Sequence, residues 1–236
     1  MEIEFVRLSE QLSFPTEFMP YLSASRQQRI HRFANENDKK RGLLAELLIR
    51  KYASQIYNMR QNEIEIQMTE YGKPYIPELP EYHFSISHSG LYAAICVSKV
   101  PIGIDVETIS PIDLAVAKRF FAGEEYAYVM EPEAIPERWI RFYRIWTLKE
   151  SYVKAMGWGM YRSFSSFAFH CGREIITCED PEGEQDFRFG SELFAKTYLV
   201  SICHQEEAIS RYVVKGEEEF YKNWMEDFGN CKVRTG

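Results

Sequence analysis

Between residues 36 and 59, Leu43, Leu44, Leu47, Leu48, Tyr52 and Ile56 recur at helical spacing, flanked by Lys39, Lys40, Arg41, Arg50 and Lys51. Apolar positions three and four apart share one face of a helix, so an amphipathic helix with a basic flank is predicted. Ile64, Ile66 and Met68 alternate with polar residues like a half-buried strand, and Tyr71-Gly72-Lys73-Pro74 then forms a turn that presents Lys73. Phe84 and Ile86 alternate before Ser87-His88-Ser89-Gly90, and residues 91–98 form a compact apolar run, which predicts a hairpin with a polar corner. In residues 101–109, Ile102, Ile104 and Val106 fall on one side of a strand and Gly103, Asp105 and Glu107 on the other.

Ser110-Pro111-Ile112-Asp113 supplies an N-cap, a proline for the first helical position and an acid for the first turn, predicting a helix over 111–121 that stops at Gly123. A longer helix over 136–156 carries Tyr143, Trp146 and Val153 on its buried stripe, with Lys149, Glu150 and Lys154 beside it, and ends at Gly157 and Gly159. From Phe164 to His204 short alternating segments predict an antiparallel sheet, and Phe220, Trp224 and Phe228 suit a docked C-terminal helix. The chain divides near residue 103, into halves 1–103 and 104–236 that each place a helix before strands.

A length of 236 residues with 45% hydrophobic and 15% aromatic residues is enough for a large core and excludes disorder over most of the chain. No apolar run approaches the roughly 20 residues that cross a bilayer, and residues 1–7 are unlike a secretion signal, so a cytoplasmic location is expected. Cys96, Cys171, Cys178, Cys203 and Cys231 are scattered and contain no C-x-x-C pair, which predicts reduced thiols rather than a zinc site. The net charge of −7 argues against nucleic acid as a partner. Its distribution is uneven: residues 26–51 hold eight Lys/Arg against three acids, whereas 174–227 hold fourteen acids against five bases. Either a solvated helix face or a seat for a small polyanion accounts for the basic segment.

Asp105 and Glu107, two apart on a strand, lie about 6.6 Å apart on one face. That spacing lets them reach a common cation, and hard carboxylate oxygens suit Mg²⁺ at about 2.1 Å. Two solvent-facing acids on an edge strand would look the same. The apolar flanks favour a central strand, where unpaired acids are costly. Helical spacing puts Glu150 and Lys154 on one face, offering a carboxylate to a metal and an ammonium to a phosphate. His88 between serines suggests a hydrolase, but G-x-S-x-G is absent and neighbours on a turn do not make a triad. A hairpin corner or a phosphate ligand remains for it.

Taken together, Tyr71-Gly72-Lys73-Pro74, Phe84-Ser85-Ile86-Ser87-His88-Ser89, Ile102-Gly103-Ile104-Asp105-Val106-Glu107 and Trp146-Thr147-Leu148-Lys149-Glu150-Ser151-Tyr152-Val153-Lys154 resemble the Sfp-type 4′-phosphopantetheinyl transferases. The resemblance runs over nearly the whole chain and fades in the acidic tail. It implies an α+β fold of two similar halves in one chain, a monomer, with coenzyme A and Mg²⁺ in the cleft between the halves. At matching positions it makes Asp105, Glu107 and Glu150 metal ligands. Lys73, Ser87, His88, Lys149 and Lys154 become contacts to the phosphates and pantetheine of coenzyme A, and Arg26, Arg29 and Arg41 hold its 3′-phosphate and adenine end. Relatives often carry lysine at 26 and 29, and an arginine fork serves phosphate equally well. Trp158 stands where relatives frequently have lysine.

The activity implied is transfer of the phosphopantetheine arm to a serine of an acyl or peptidyl carrier protein, with release of 3′,5′-ADP. Lys154 and His88 would stabilise the developing charge, and Glu150 or a metal-bound water, with Glu125 second, would take the serine proton. The expected carriers belong to non-ribosomal peptide or polyketide synthetases and would dock on Phe120 and Phe121 with the loop near Met130. A coenzyme A-binding protein without turnover and a Mg²⁺-dependent phosphohydrolase are the alternatives.

Overall fold

The computed structural model describes residues 1–172, 175–183, 186–205 and 211–229; Glu174 and Cys231 lie outside them. In chain order the elements are β1 (Glu2–Arg7), α1 (Ala24–Arg32), α2 (Glu36–Tyr57), β2 (Gln67–Met68), β3 (Pro74–Tyr75), β4 (His83–Ser89), β5 (Tyr92–Ser98) and β6 (Ile102–Thr108). They continue as α3 (Ala115–Phe120), α4 (Gly123–Met130), α5 (Ile135–Met156), β7 (Ala168–Cys171), β8 (Ile176–Glu179), β9 (Arg188–Phe194), β10 (Tyr198–His204), β11 (Arg211–Gly216) and α6 (Glu217–Phe228). Helices and mainly antiparallel strands make this an α+β protein. No helix among the described residues is long and apolar enough to cross a membrane.

Two compact units result. One takes Met1–Thr69, Pro74–Lys99 and Ala208–Gly236, the other Glu70–Lys73 and Val100–Glu207. The division expected at residue 103 would cut through β6, and the expected second half gives up its C-terminal segment. The reason is strand pairing: β11 joins β1 in parallel, Glu2 opposite Arg211 and Arg7 opposite Gly216.

In the first unit the sheet runs β11-β1-β5-β4. The stripe Leu43, Leu44, Leu47, Leu48 and Tyr52 of α2 packs into one core with Val6, Phe84, Ile95, Phe220 and Trp224. Asn35 caps α2 by accepting from the Asn37 and Asp38 N–H groups, and Asn58, left-handed at φ 53°, ends it. Ser87-His88-Ser89 lie inside β4 rather than at a corner; the reversal is left to Gly90 at φ +52°. Residues 64–66 are not strand, and the pairing there is the short β2–β3 ladder.

The second unit holds the sheet β6-β10-β9 and the hairpin β7–β8. Its core gathers Phe142, Ile145, Leu148, Tyr152 and Val153 of α5 with Phe167, Phe169, Leu199 and Cys203. Helix α5 follows the predicted bounds to within a residue and ends on Gly157 at φ +74°. Strand β6 pairs antiparallel with β10, Asp105 opposite Ser201, and Ile102, Ile104 and Val106 are buried. Residues 111–114 are not helical, and Gly123 opens α4 instead of closing a helix, since the Glu125 carboxylate accepts the Ala122 N–H and starts a new turn.

Candidate functional site

Helix α5 lies across the β6 face that carries Gly103, Asp105 and Glu107. The approach is close enough that a β-carbon on Gly103 would stand 1.8 Å from the Ser151 carbonyl oxygen and 2.7 Å from the Ala155 nitrogen. Only a residue without a side chain fits there. Two positions along β6, the Asp105 carboxylate accepts from Lys154 Nζ at 2.7 Å, and Lys154 also donates to the Ile104 carbonyl at 3.2 Å. Asp105 is 3% exposed.

Glu150, one turn before Lys154, is half-buried, and its carboxyl is raised above the usual range by burial and then by the charge of Asp105, against the pull of Lys154. Burial pulls Lys154 down, but Asp105, Glu150 and Glu107 outweigh it and hold the ammonium above its ordinary value. The three carboxylates thus act on one ammonium, that of Lys154. Across the ladder from Asp105, Ser201 bonds Thr147 of α5 at 2.7 Å, a second polar tie between helix and sheet.

Three carboxylates facing one ammonium leave an excess of negative charge, and every anionic donor is a hard oxygen. That set fits Mg²⁺ and offers nothing to a thiophilic metal. A separate exposed cluster, Glu124, His170 and Glu179, brings its ligand atoms within 4.8 Å of one another but includes none of the predicted ligands.

Lys73 Nζ donates to the Ala155 carbonyl at 3.1 Å, capping the last turn of α5. Gly159, at φ +59°, lies against the Tyr71 carbonyl of the same turn. Lys149 does not take the expected place as a coenzyme A contact. Its ammonium is fully buried, donates to the Phe164 and Phe167 carbonyls at 2.6 Å each, pairs with Glu125 at 2.9 Å and stands 4.2 Å from the Phe167 ring centre. Glu125 is equally committed, accepting the Ala122 and Phe169 N–H groups at 2.8 Å each, so it is not an accessible base. Trp158 stacks under the Arg162 guanidinium at 4.3 Å.

The other predicted residues belong to the first unit. Ser87 is buried and His88 exposed on β4. Arg26 and Arg29 sit one turn apart on α1, and Arg41 on α2 donates to the Gly90 carbonyl and the Asp38 carboxylate. Of the expected docking patch, Phe120 is exposed and edge-on to Trp146, while Phe121 is only 5% exposed and belongs to the core; Met130 ends α4 half-buried.

Sequence reasoning passed over Glu46, buried in α2 and bonded to Ser23, Arg26 and Arg50. Its signal was present: an acid inside an apolar stripe with an arginine four residues on.

Comparison with known proteins covers both units. A family model described as the 4′-phosphopantetheinyl transferase superfamily matches residues 101–213, and one described as 4′-phosphopantetheinyl transferase, N-terminal, matches residues 11–100. The chain is 35% identical over 184 residues to the 4′-phosphopantetheinyl transferase Sfp of Bacillus subtilis (strain 168), covering 78% of this chain and 79% of that one. A 4′-phosphopantetheinyl transferase of Bacillus subtilis is 33% identical over 206 residues, 86% of this chain and 92% of the other. The 4′-phosphopantetheinyl transferase gsp of Aneurinibacillus migulanus is 42% identical over 146 residues, 62% and 60% of the two chains.

Proposed function

Because this chain belongs to the Sfp-type members of the 4′-phosphopantetheinyl transferase superfamily, and is a transferase of that class, we propose that it uses Mg²⁺ to move phosphopantetheine from coenzyme A to a carrier-protein serine. The observation that carries the reading is the junction of β6 and α5, where Asp105 is paired with Lys154 and the charges of Glu150 and Glu107 act on the same ammonium.

In the reaction the carrier serine oxygen attacks the phosphorus that bears pantetheine. A new P–O bond forms, the bond to the bridging pyrophosphate oxygen breaks, and 3′,5′-ADP leaves. Glu150 takes the serine proton. Lys154, anchored by Asp105, offers its ammonium to the oxygens that gain charge, a stabilisation that needs no rearrangement during the reaction. Asp105, Glu107 and Glu150 would hold Mg²⁺, which would supply neutralisation of the pyrophosphate charge. Arg26 and Arg29 bind the 3′-phosphate, and His88 and Ser87 serve as further phosphate contacts. Lys73 acts by fixing the end of α5 that carries Lys154.

The acceptors we infer are carrier domains of non-ribosomal peptide or polyketide synthetases, on the strength of the Sfp-type motifs, with the enzyme a cytoplasmic monomer. The test is the intact mass of an apo carrier domain incubated with the enzyme, coenzyme A and Mg²⁺, beside an EDTA control. A gain of one phosphopantetheine that EDTA abolishes is the expected result. Release of 3′,5′-ADP without modified carrier would make the protein a phosphohydrolase, and coenzyme A binding without either product would make it a binding protein.

A further inference from the structure

Glu46 lies in the middle of α2 and is 2% exposed, yet both of its oxygens are used. One accepts the Ser23 N–H at 2.7 Å and the Arg50 guanidinium at 2.8 and 2.9 Å. The other accepts the Ser23 hydroxyl at 3.0 Å and lies 3.5 Å from Arg26 Nε. Ser23 is the N-cap of α1, its hydroxyl accepting the Arg26 N–H at 3.3 Å. One buried carboxylate thus fixes both the first turn of α1 and the direction of an arginine side chain on it.

A guanidinium held through Nε keeps its Nη1–Nη2 edge for another acceptor, and that edge matches two phosphate oxygens. The Arg26 side chain is mostly covered, at 15% exposure, so it is held in place rather than sweeping solvent. Arg29, one turn further along α1, adds a second guanidinium whose charge acts on Arg26. A long side chain ordered before the ligand arrives spares the loss of freedom that binding would otherwise impose.

We propose that Glu46 is a positioning residue that sets the preference of the enzyme for a donor bearing a 3′-phosphate, by holding Arg26 through Nε so that its outer edge meets that phosphate. This rests on the reading above that Arg26 and Arg29 receive the 3′-phosphate. Glu46 itself touches no part of the substrate.

The experiment compares coenzyme A with 3′-dephospho-coenzyme A as donors for the wild type, E46Q, R26A and the double variant, with thermal denaturation of each. E46Q is expected to raise KM for coenzyme A roughly threefold to tenfold. KM for the dephosphorylated donor and kcat for both donors stay unchanged. R26A shows the same loss of preference, and adding E46Q to it changes nothing more. Since Arg50 also loses its ion pair in E46Q, E46D is run alongside; it keeps the charge but withdraws the carboxylate by one methylene, and the preference falls there too. A parallel rise in KM for both donors, or an undiminished preference in E46Q and E46D, assigns Glu46 a purely architectural role and overturns the proposal. A wild type that transfers from both donors with equal KM overturns the 3′-phosphate reading beneath it, and a wild type with no transfer at all overturns the proposed activity.

Discussion

Gly103 faces the carbonyl oxygen of Ser151 so closely that the smallest side chain would stand 1.8 Å from it. Helix α5 and the acid-bearing strand β6 meet at this point, and the separation of Asp105 from Lys154 depends on it. Gly103→Ala should therefore push α5 away from β6. Because a displacement of about 1 Å at a reacting centre costs on the order of a hundredfold, turnover should fall by about that factor in protein whose circular dichroism still reports folded helices. Wild-type turnover in Gly103→Ala would refute the account.

Asp105 and Glu150 differ in what their loss leaves behind. Asp105→Ala strips the partner from a largely covered ammonium, whereas Glu150→Gln keeps the shape and removes one charge. Each is expected to lower transfer by at least about a hundredfold, the scale on which a single stabilising group acts. Titration of activity with Mg²⁺ should show weaker dependence on the metal in both. A folded variant of either kind that turns over normally removes that residue from the site.

Lys149 makes a prediction of another kind, since its ammonium ties α5 to Glu125 and to two backbone carbonyls inside the core. Lys149→Met leaves Glu125 buried without its cation, a change that costs about 3–5 kcal/mol. Thermal unfolding should move down by roughly 10 °C. A direct role at the phosphates would instead give an unchanged melting temperature with a raised KM for coenzyme A, and the two measurements separate these outcomes.

Burial pushes the Cys171 thiol up to about 11 and the Cys178 thiol up to about 12. The thiolate is the reactive form, so at pH 7.5 both should alkylate far more slowly than an exposed cysteine, and their labelling should climb with pH until the protein unfolds. Peptide mass mapping after iodoacetamide treatment reads each site separately. Rapid labelling of either at pH 7.5 contradicts the burial.

Local pattern was a good guide wherever one face of an element met one core. The stripe from Leu43 to Tyr52, the span of α5 and the docking of Phe220 and Trp224 were all legible for that reason. The shared face of Asp105 and Glu107 was legible too, because alternation along a strand is rigid. What the pattern could not carry was long-range pairing. Nothing within residues 211–216 says that they lie beside β1. Among the site residues, Lys149, expected as a coenzyme A contact, and Glu125, expected as a second candidate base, look available in sequence until the backbone donors and acceptors around them are placed.

The parallel pairing of β11 with β1 also bears on how the protein is made. Almost all of the second unit is one unbroken stretch, so its strands and α5 can find one another as soon as that stretch leaves the ribosome. The sheet begun by β1 must wait with an open edge for a strand more than 200 positions downstream, a closure of high contact order that is intrinsically slow. During synthesis, then, the unit built on α5 and β6 can mature first, while the unit bearing the arginines stays unfinished until β11 arrives.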